Sequence, residues 1–553
     1  MGVVPVTPWS WLFAVAPVLL LFGTVVRGRV SARMGAVVAL GAALICATTA
    51  YGVTLTGAAV GVGKGLWLGF WILLVVWPAL LLYRIVAAVG FARIGDALSG
   101  MLPGRTERLL VVAWLFPSFV QGVAGFGTPI AVAAPLLLAM GWNRVRAVAL
   151  PLVGYHWSVT FGSMGSSFYV ASLTAGFGPA RQGQLALHAA VFLALNCLVA
   201  GALVLVMDGG WRRLVEGLPL LVRLGLPTAA TLVVVAMVVP AVASLVAGTV
   251  GLGVLWLTGP RRHRRARVVA YAAGGTSAAA VGLSGPGPGG APTVPTVATA
   301  ATPPAAPSGP APPLLLCPYL FLLLTALPVF LVPWSRSWVR THLLVGPHFP
   351  ATRTGLGFAV PATDAFNPVA LVGHPGGYIL FACALGYLAY RRGGLLGGSQ
   401  LRGIVATWAR GLPAVSVVIV CLTSVAMVMS DSGMVSVLAR GTEAGTGHAF
   451  PVLSPVLGAL GSFMTGSTAS SNTLLAAFQG QVGTLLGLDP TVLVAAQTAG
   501  ANVGNSLAPV VILIGLAAVG APGELPAVLR RCLLPAAVLL AVLVAAVLVT
   551  LLA

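Results

Sequence analysis

Charge is what this 553-residue sequence has least of: Asp, Glu, Lys and Arg make up 7% of it, with nine acids in all, where a soluble domain carries about 25%. That scarcity excludes a soluble globular enzyme. Paired cysteines are missing too. Cys46, Cys197, Cys317, Cys383, Cys421 and Cys532 are scattered without a CxxC and sit mostly inside apolar runs, so they read as buried small hydrophobes, not disulfides or metal ligands. There is no HExxH, no GxSxG, no pair of intramembrane aspartates and no sizeable polar stretch to form a catalytic domain. A membrane-embedded enzyme would need one of these, and no cofactor or metal is expected.

What is present is apolar. Hydrophobic residues make up 58% of the chain. Runs such as Trp11 to Val26, Gly35 to Val53 and Leu533 to Ala553 reach or approach the ~20 residues with which a helix crosses ~30 Å of hydrocarbon. About a dozen such runs predict an all-α polytopic membrane protein. The 70 glycines and 40 prolines would break helices inside the bilayer, which is tolerated only where backbone is buried in protein or lines a cavity.

The formal charge of +20 would point to nucleic acid in a soluble protein; here it reads as topology. Basic residues cluster beside apolar runs at Arg27/Arg29/Arg33, Arg84/Arg93/Arg105/Arg108, Arg144/Arg146, Arg212/Arg213/Arg223, Arg261 to Arg267, Arg391/Arg392/Arg402/Arg410 and Arg530/Arg531. Placing these on the cytoplasmic side leaves Lys64, Arg181, Arg336, Arg340, Arg353 and Arg440 elsewhere, 6 of the 29, the bias of the positive-inside rule. Both termini are then expected outside. The region from Trp9 onward reads as a retained first span, because its arginines follow the apolar stretch.

Three segments organise the chain: a first membrane half at 1–260, a basic and Pro/Gly/Ala-rich cytoplasmic linker at 261–313, and a second membrane half at 314–553. The linker is expected to be flexible from Ser284 onward, and its arginine run to anchor at anionic headgroups. About 12 spans are expected, plus two segments that enter and return. Leu109 to Trp142 is too short for two spans, yet both its flanks are basic, and Pro117, Gly122, Gly125, Gly127 and Pro129 interrupt it; it reads as a re-entrant hairpin. A span at 145–177 follows, broken at Thr160 to Ser167. The second half repeats the order with a hairpin at 450–487, whose flanks Glu443 and Asp489 lack a basic cluster, and a span at 491–519 broken between Asn502 and Pro509. Gly125 to Gly162 spans 37 positions and Gly466 to Gly504 spans 38. Hairpin then broken helix, twice and with opposite sense, is the signature of an inverted-repeat secondary transporter with a midplane site. Glycines that merely permit close helix packing are the plainer explanation.

The residues of both hairpins also resemble a known family. Phe119-Val120-Gln121-Gly122-Val123-Ala124-Gly125-Phe126-Gly127-Thr128-Pro129 is similar to the first-hairpin motif of the L-lactate permease family. Thr446 to Phe450, Ser454-Pro455 and Thr465-Gly466-Ser467-Thr468-Ala469-Ser470-Ser471-Asn472 with Gln479 resemble the second. Ser432-Gly433-Met434, Ala499-Gly500, Gly504 and Pro509 extend the likeness over most of the chain. The resemblance implies a multi-pass importer of L-lactate or a related 2-hydroxy monocarboxylate in the bacterial cytoplasmic membrane, coupled to protons. Against the family pattern, Gln121 stands in place of a usual Glu, Thr468 of an Asp and Asn505 of a Lys. Loss of these intramembrane charges leaves open an uncoupled or sodium-coupled organic-anion carrier of the same architecture.

A small carboxylate needs donors that are cheap to desolvate, which half-helix N-termini provide, and glycine allows close approach. The candidate substrate-binding residues are therefore Gln121, Gly125, Gly127, Thr128, Gly162, Ser163, Gly466, Ser467, Thr468, Ser470, Ser471, Asn472, Asn502, Asn505 and Ser506, with hydroxyls and amides to meet the 2-hydroxyl. Some of them are expected only to cap broken helices. His156, in the midst of a predicted span, and Asp431, at the outer end of another, are the candidates for carrying a proton; their structural alternatives are a satisfied core histidine and a solvated acid. Expected partners are the monocarboxylate, protons and the bilayer, with no nucleic acid, and small-residue faces permit a homo-oligomer. The topology predicts that a single cysteine at position 264 on a cysteine-free background is labelled by an impermeant maleimide only after the cytoplasmic face is opened, whereas one at position 353 is labelled in intact cells.

Overall fold

The computed structural model describes residues 4–26, 32–90, 102, 104–123, 125, 127–258, 314 and 317–552. The linker at 261–313 with its arginine run, and Ala124 and Phe126 of the first hairpin motif, lie outside the described residues.

The first half begins with α1 (Pro8–Val26), α2 (Ala32–Thr49) and α3 (Leu55–Val89). The first hairpin consists of α4 (Arg105–Leu110), a π-helical turn (Val111–Leu115), α5 (Phe116–Val123) and the returning α6 (Thr128–Ala139). The broken span follows as α7 (Arg144–Tyr155), two 3₁₀ turns (His156–Ser158 and Ser163–Gly165) and α8 (Ser166–Thr174). Then come α9 (Pro179–Val238), interrupted at Gly209–Gly210, and α10 (Ala243–Thr258). The second half runs α11 (Cys317–Leu331), α12 (Pro333–Thr341), α13 (Pro375–Arg392), α14 (Gln400–Asp431) and α15 (Met434–Thr446). Its hairpin is α16 (Phe450–Thr465) and α17 (Thr468–Leu485); α18 (Pro490–Leu507), α19 (Pro509–Ala518) and α20 (Leu525–Leu552) complete it.

Among the described residues, six helices are long and apolar enough by themselves to cross a membrane, or seven if α18 and α19, bent by 43°, form one span. This is a multi-pass membrane protein built of helices. Short strands occur between α12 and α13. Leu344–Val345 pairs with Val369–Ala370, and Thr352–Arg353 with Ala359–Val360, both antiparallel. This small β cap rests on the start of α3: Gly355 N donates to Gly52 O at 2.8 Å and Trp67 Nε1 to Asn367 O at 3.1 Å.

In both hairpins the two ends of the segment come back together. At the first, Arg105 and Trp142, its two ends, both donate to Asp208 Oδ1, at 3.1 and 2.7 Å. Arg213 stands 3.7 Å from the same carboxylate, and Arg146 and Arg531 donate to the carbonyls of Asp208 and Met207. Four of the arginine clusters thus meet at one end of the bundle. At the second hairpin the rings of Phe450 and Phe478 are 5.7 Å apart, and Phe450 shares a buried cluster with Val482 and Leu493.

The second broken span is interrupted within the expected stretch Asn502 to Pro509, at its far end: α18 continues as helix through Leu507 and breaks at Ala508. Gly504 serves packing instead: a Cβ there would collide with the Ala459 carbonyl of α16. Pro509 makes the break, because it lacks an N–H and its ring excludes the preceding helical turn.

Packing between the halves is reciprocal. α2 lies on α14 while α13 lies on α3; α8 lies on α17 while α19 lies on α6; α20 lies on α7 while α9 lies on α18. α3 and α14 meet directly through Gly61, Gly65 and Gly69, whose four-residue spacing puts them on one helix face against Val428, Ser424, Thr423 and Val420. A side chain at Gly65 would overlap the Ser424 backbone. Gly65→Val is therefore expected to destabilise the detergent-solubilised protein by about 3 kcal/mol or more, since backbone must move. Gly41→Val, where nothing lies within 4 Å, is expected to change stability by less than ~1 kcal/mol. Thermal unfolding of the two variants checks both.

Candidate functional site

The two hairpin turns share a device. Gly127 begins α6 at φ 83° and Gly466 ends α16 at φ 68°, both in the left-handed region that favours glycine. Both turns face α19, since a Cβ on Gly127 would meet Ile514 and one on Gly466 would meet Val510. Four residues apart on one helix, Ile514 and Val510 lie on the same face, so the two turns converge on it. Ser467 caps α17 by accepting from Ser470 N at 3.3 Å.

Around this convergence lies a buried polar network contributed by both halves. The Thr160 hydroxyl, in the first break, donates to Asn502 Oδ1 at 2.9 Å and lies 3.2 Å from the Thr498 hydroxyl of α18. Asn472 of α17 donates to the Ser167 carbonyl of α8 at 2.8 Å and to Thr498 Oγ1 at 2.7 Å. Gln497 donates to Asn472 Oδ1 at 3.1 Å and to Ser471 Oγ at 3.2 Å. Thr160, Asn472, Gln497, Thr498 and Asn502 are all 0% exposed.

The network is incomplete. Asn502 Nδ2, Thr468 Oγ1 and Gln497 Oε1 are buried without a hydrogen-bond partner. An unmade hydrogen bond at a buried polar group costs roughly 1–3 kcal/mol. Two of these groups lie on neighbouring helices. α17 and α18 run antiparallel through the turn at 486–489, with Asn472 bonded to Thr498. One helical turn along each helix, toward the break, brings Thr468 level with Asn502. An amide donor and a hydroxyl therefore face the place where the hairpin turn and the broken span meet.

The sequence-named residues divide accordingly. Asn472, Asn502 and Thr468 belong to the network or its unpaired edge. Ser471 gives its proton to the Gly458 carbonyl at 3.0 Å and receives one from Gln497. Gln121, Gly125, Gly162 and Ser163 form a separate contact: Ser163 Oγ accepts from Gly125 N at 2.8 Å, and a Cβ on Gly162 would strike Gln121. They join the first turn to the first break. Gly127 and Thr128 start α6, Gly466 and Ser467 form the second turn, Ser470 supplies an N–H to the cap, and Asn505 and Ser506 lie in the last turn of α18, with Ser506 donating to Asn502 O at 3.5 Å.

His156 is satisfied on both sides, its Nδ1 2.8 Å from the Val153 carbonyl and its Nε2 3.3 Å from the Asn196 amide. With the Asn196 amide donating to Nε2, the proton falls on Nδ1, where the Val153 carbonyl accepts it. Asp431 is not a solvated acid: Lys64 Nζ of α3 donates to its Oδ2 at 2.8 Å, and Lys64 is 2% exposed. Sequence reasoning missed Lys64, Gln497, Thr498 and Asn196. Thr498 was legible as the residue one turn before Asn502 on the same face, whereas nothing local marks Lys64 as the partner of an acid 367 positions away.

The family model for L-lactate permease matches residues 10–279 and 355–553. The L-lactate permease of Escherichia coli is 28% identical over 535 residues, covering 93% of this chain and 91% of that protein. That of Halalkalibacterium halodurans is 27% identical over 479 residues, covering 86% and 83%, and the glycolate permease GlcA of Escherichia coli is 27% identical over 530, covering 93% and 91%. Among solved structures, the YdaH transporter of Alcanivorax borkumensis covers 92% of this chain and 86% of its own, at 15% identity and a TM-score of 0.41. The relatives are permeases, not enzymes, and with the family model matched on both sides of the linker, this chain belongs to the L-lactate permease family.

Proposed function

We propose that this permease imports L-lactate or a related 2-hydroxy monocarboxylate across the bacterial cytoplasmic membrane together with protons. The observation that carries the proposal is the unpaired edge of the buried network, Asn502 Nδ2 and Thr468 Oγ1, set between the two halves. A carboxylate accepts from the amide and the hydroxyl, and a 2-hydroxyl both gives and takes a hydrogen bond. The start of α17 adds N–H groups and a positive dipole end without a basic side chain. The names of the relatives, lactate and glycolate permeases, agree with that chemistry.

The transport mode follows as an inverted repeat of about 12 spans with both termini outside, a site near the midplane, and rocking of one half against the other. The reciprocal packing of α2 with α14 and α13 with α3, and of α8 with α17 and α19 with α6, supports it, as equivalent helices of two halves related by a two-fold axis make equivalent contacts.

The test is uptake of labelled L-lactate into proteoliposomes under an imposed inward proton gradient. Accumulation above equilibrium that a protonophore abolishes is expected. Equilibration indifferent to the gradient would establish an uncoupled carrier, accumulation requiring external sodium a sodium-coupled one, and no uptake would overturn the substrate. Thr468→Val is expected to cut uptake about tenfold or more, since a hydrogen bond to a charged group is worth ~1.5–3 kcal/mol. Stability is expected to stay within about 1 kcal/mol, because the hydroxyl lost is unpaired in the protein alone. A fall in melting temperature with uptake unchanged would assign Thr468 to structure.

A further inference from the structure

The Lys64–Asp431 pair stands outside the network described above, and it joins the two halves. Lys64 lies on α3 and Asp431 is the last residue of α14, the helix that meets α3 along the glycine face. The contact is 2.8 Å between side chains that are 3% and 14% exposed. The β cap covers it: the Phe366 ring lies 5.7 Å from Lys64 Nζ, and Phe349 and Phe358 lie against Gly63 and Gly433. Trp71, two turns along α3 from Lys64, packs with its ring 5.3 Å from that of Tyr169 of α8, the helix that carries Ser167 of the polar network. Helix α3 thus carries the pair and also touches the helix that bears part of the network.

The charged groups nearby have other partners or lie on other faces. α15 contributes Arg440, which donates to the Val4 carbonyl, and Glu443. The cap contributes Arg353, His342 beside Trp338, His348 paired with Asp364 at 3.3 Å, and His374, which accepts from Gly376 N. α2 brings Cys46, with Tyr51 just beyond its end donating to the Ser10 carbonyl, α14 itself carries Cys421, and α17 has no ionisable side chain. The ion-pair partner of Asp431 is Lys64.

Two features make this pair exchangeable. Asp431 sits at the C-terminus of α14, where the helix dipole opposes a negative charge, so its ionised form depends on Lys64. A buried ammonium left alone is strongly unfavourable, whereas any arrangement that keeps one anion beside it is tolerated. Resting on the monocarboxylate reading above, we propose that Lys64 and Asp431 form the point where proton and substrate are coupled: a proton arriving on Asp431 releases Lys64, whose ammonium pairs with the carboxylate of the substrate as it enters, before the carboxylate passes to Asn502 and Thr468. The proton goes to an Asp431 carboxyl oxygen as the substrate anion takes its place beside Nζ. Local charge is zero before and after, and neither ligand enters stably without the other. One proton per monocarboxylate follows, without the intramembrane acids that Gln121 and Thr468 replace.

The experiment compares wild type, Asp431→Asn, Lys64→Ala, Lys64→Arg and the double variant Lys64→Ala/Asp431→Asn, each checked for a monodisperse peak in detergent. Thermal stabilisation by L-lactate is measured across pH, and lactate counterflow and proton-driven accumulation in proteoliposomes. Wild type is expected to be stabilised increasingly as pH falls. Asp431→Asn is expected to bind lactate with no pH dependence, to keep counterflow and to lose proton-driven accumulation. Lys64→Ala is expected to weaken binding tenfold or more, the ~1.4 kcal/mol or greater that follows from stranding a buried charge, with recovery in Lys64→Arg. Proton-driven accumulation retained by Asp431→Asn or by the double variant would overturn the proposal and leave the pair a structural clasp. Wild type that neither binds nor transports lactate would instead overturn the substrate reading, and this coupling scheme with it.

Discussion

A helix that stops inside a bilayer leaves N–H and C=O groups that lipid cannot satisfy, and the architecture follows from that constraint. The described residues hold two helical hairpins and two interrupted helices, so four segments end or bend within the helical bundle. Each is wrapped by the others. Gly154 lets α7 lie directly on the Ala113 carbonyl of the π turn, and Gly500 and Gly504 let α18 lie on Pro455 and Ala459 of α16. The freed polar groups then find partners across the halves, Asn472 on Ser167 and Thr160 on Asn502. Among the buried groups that remain without a protein partner are Asn502 Nδ2 and Thr468 Oγ1, at the edge of this network.

Charge is kept to the margins of this arrangement and holds it in place there. At one end Asp208 gathers Arg105, Arg213 and Trp142, closing the base of the first hairpin against the break in α9. Lys64 and Asp431 tie α3 to α14 beneath the β cap. Between these two clamps the described contacts are neutral amides and hydroxyls, whose desolvation costs far less than that of ions. Such a neutral interior can carry an anion whose own charge is the main one introduced, provided that a cation or a proton accompanies it.

Much of the architecture was legible in the sequence, and for identifiable reasons. Basic residues on both flanks of Leu109 to Trp142 required the chain to return, and Arg105 and Trp142 do share one carboxylate. Glycine and proline mark helix ends at Gly127, Gly165 and Gly466, all at positive φ. At α18 the break falls at the proline end of the expected stretch, since Gly504 serves close packing and Pro509 interrupts the helix. The β cap was invisible because its strands are two residues each, too short for any alternation to show. Of the candidate site residues, Asn472, Asn502 and Thr468 stand out as polar groups in glycine-rich stretches of apolar runs. Gln497 and Thr498 bond Asn472 across neighbouring helices, and Lys64 pairs with an acid 367 positions away, contacts that depend on which helices pack together.

A cryo-EM structure of the full chain with L-lactate tests most directly whether the buried network between the halves is the binding site. Density for a carboxylate within hydrogen-bond reach of the Asn502 amide and the Thr468 hydroxyl, at the start of α17 and beside the first break at Thr160, is the expected result. Lactate bound elsewhere, with those two groups pairing each other or a neighbouring side chain, would contradict it.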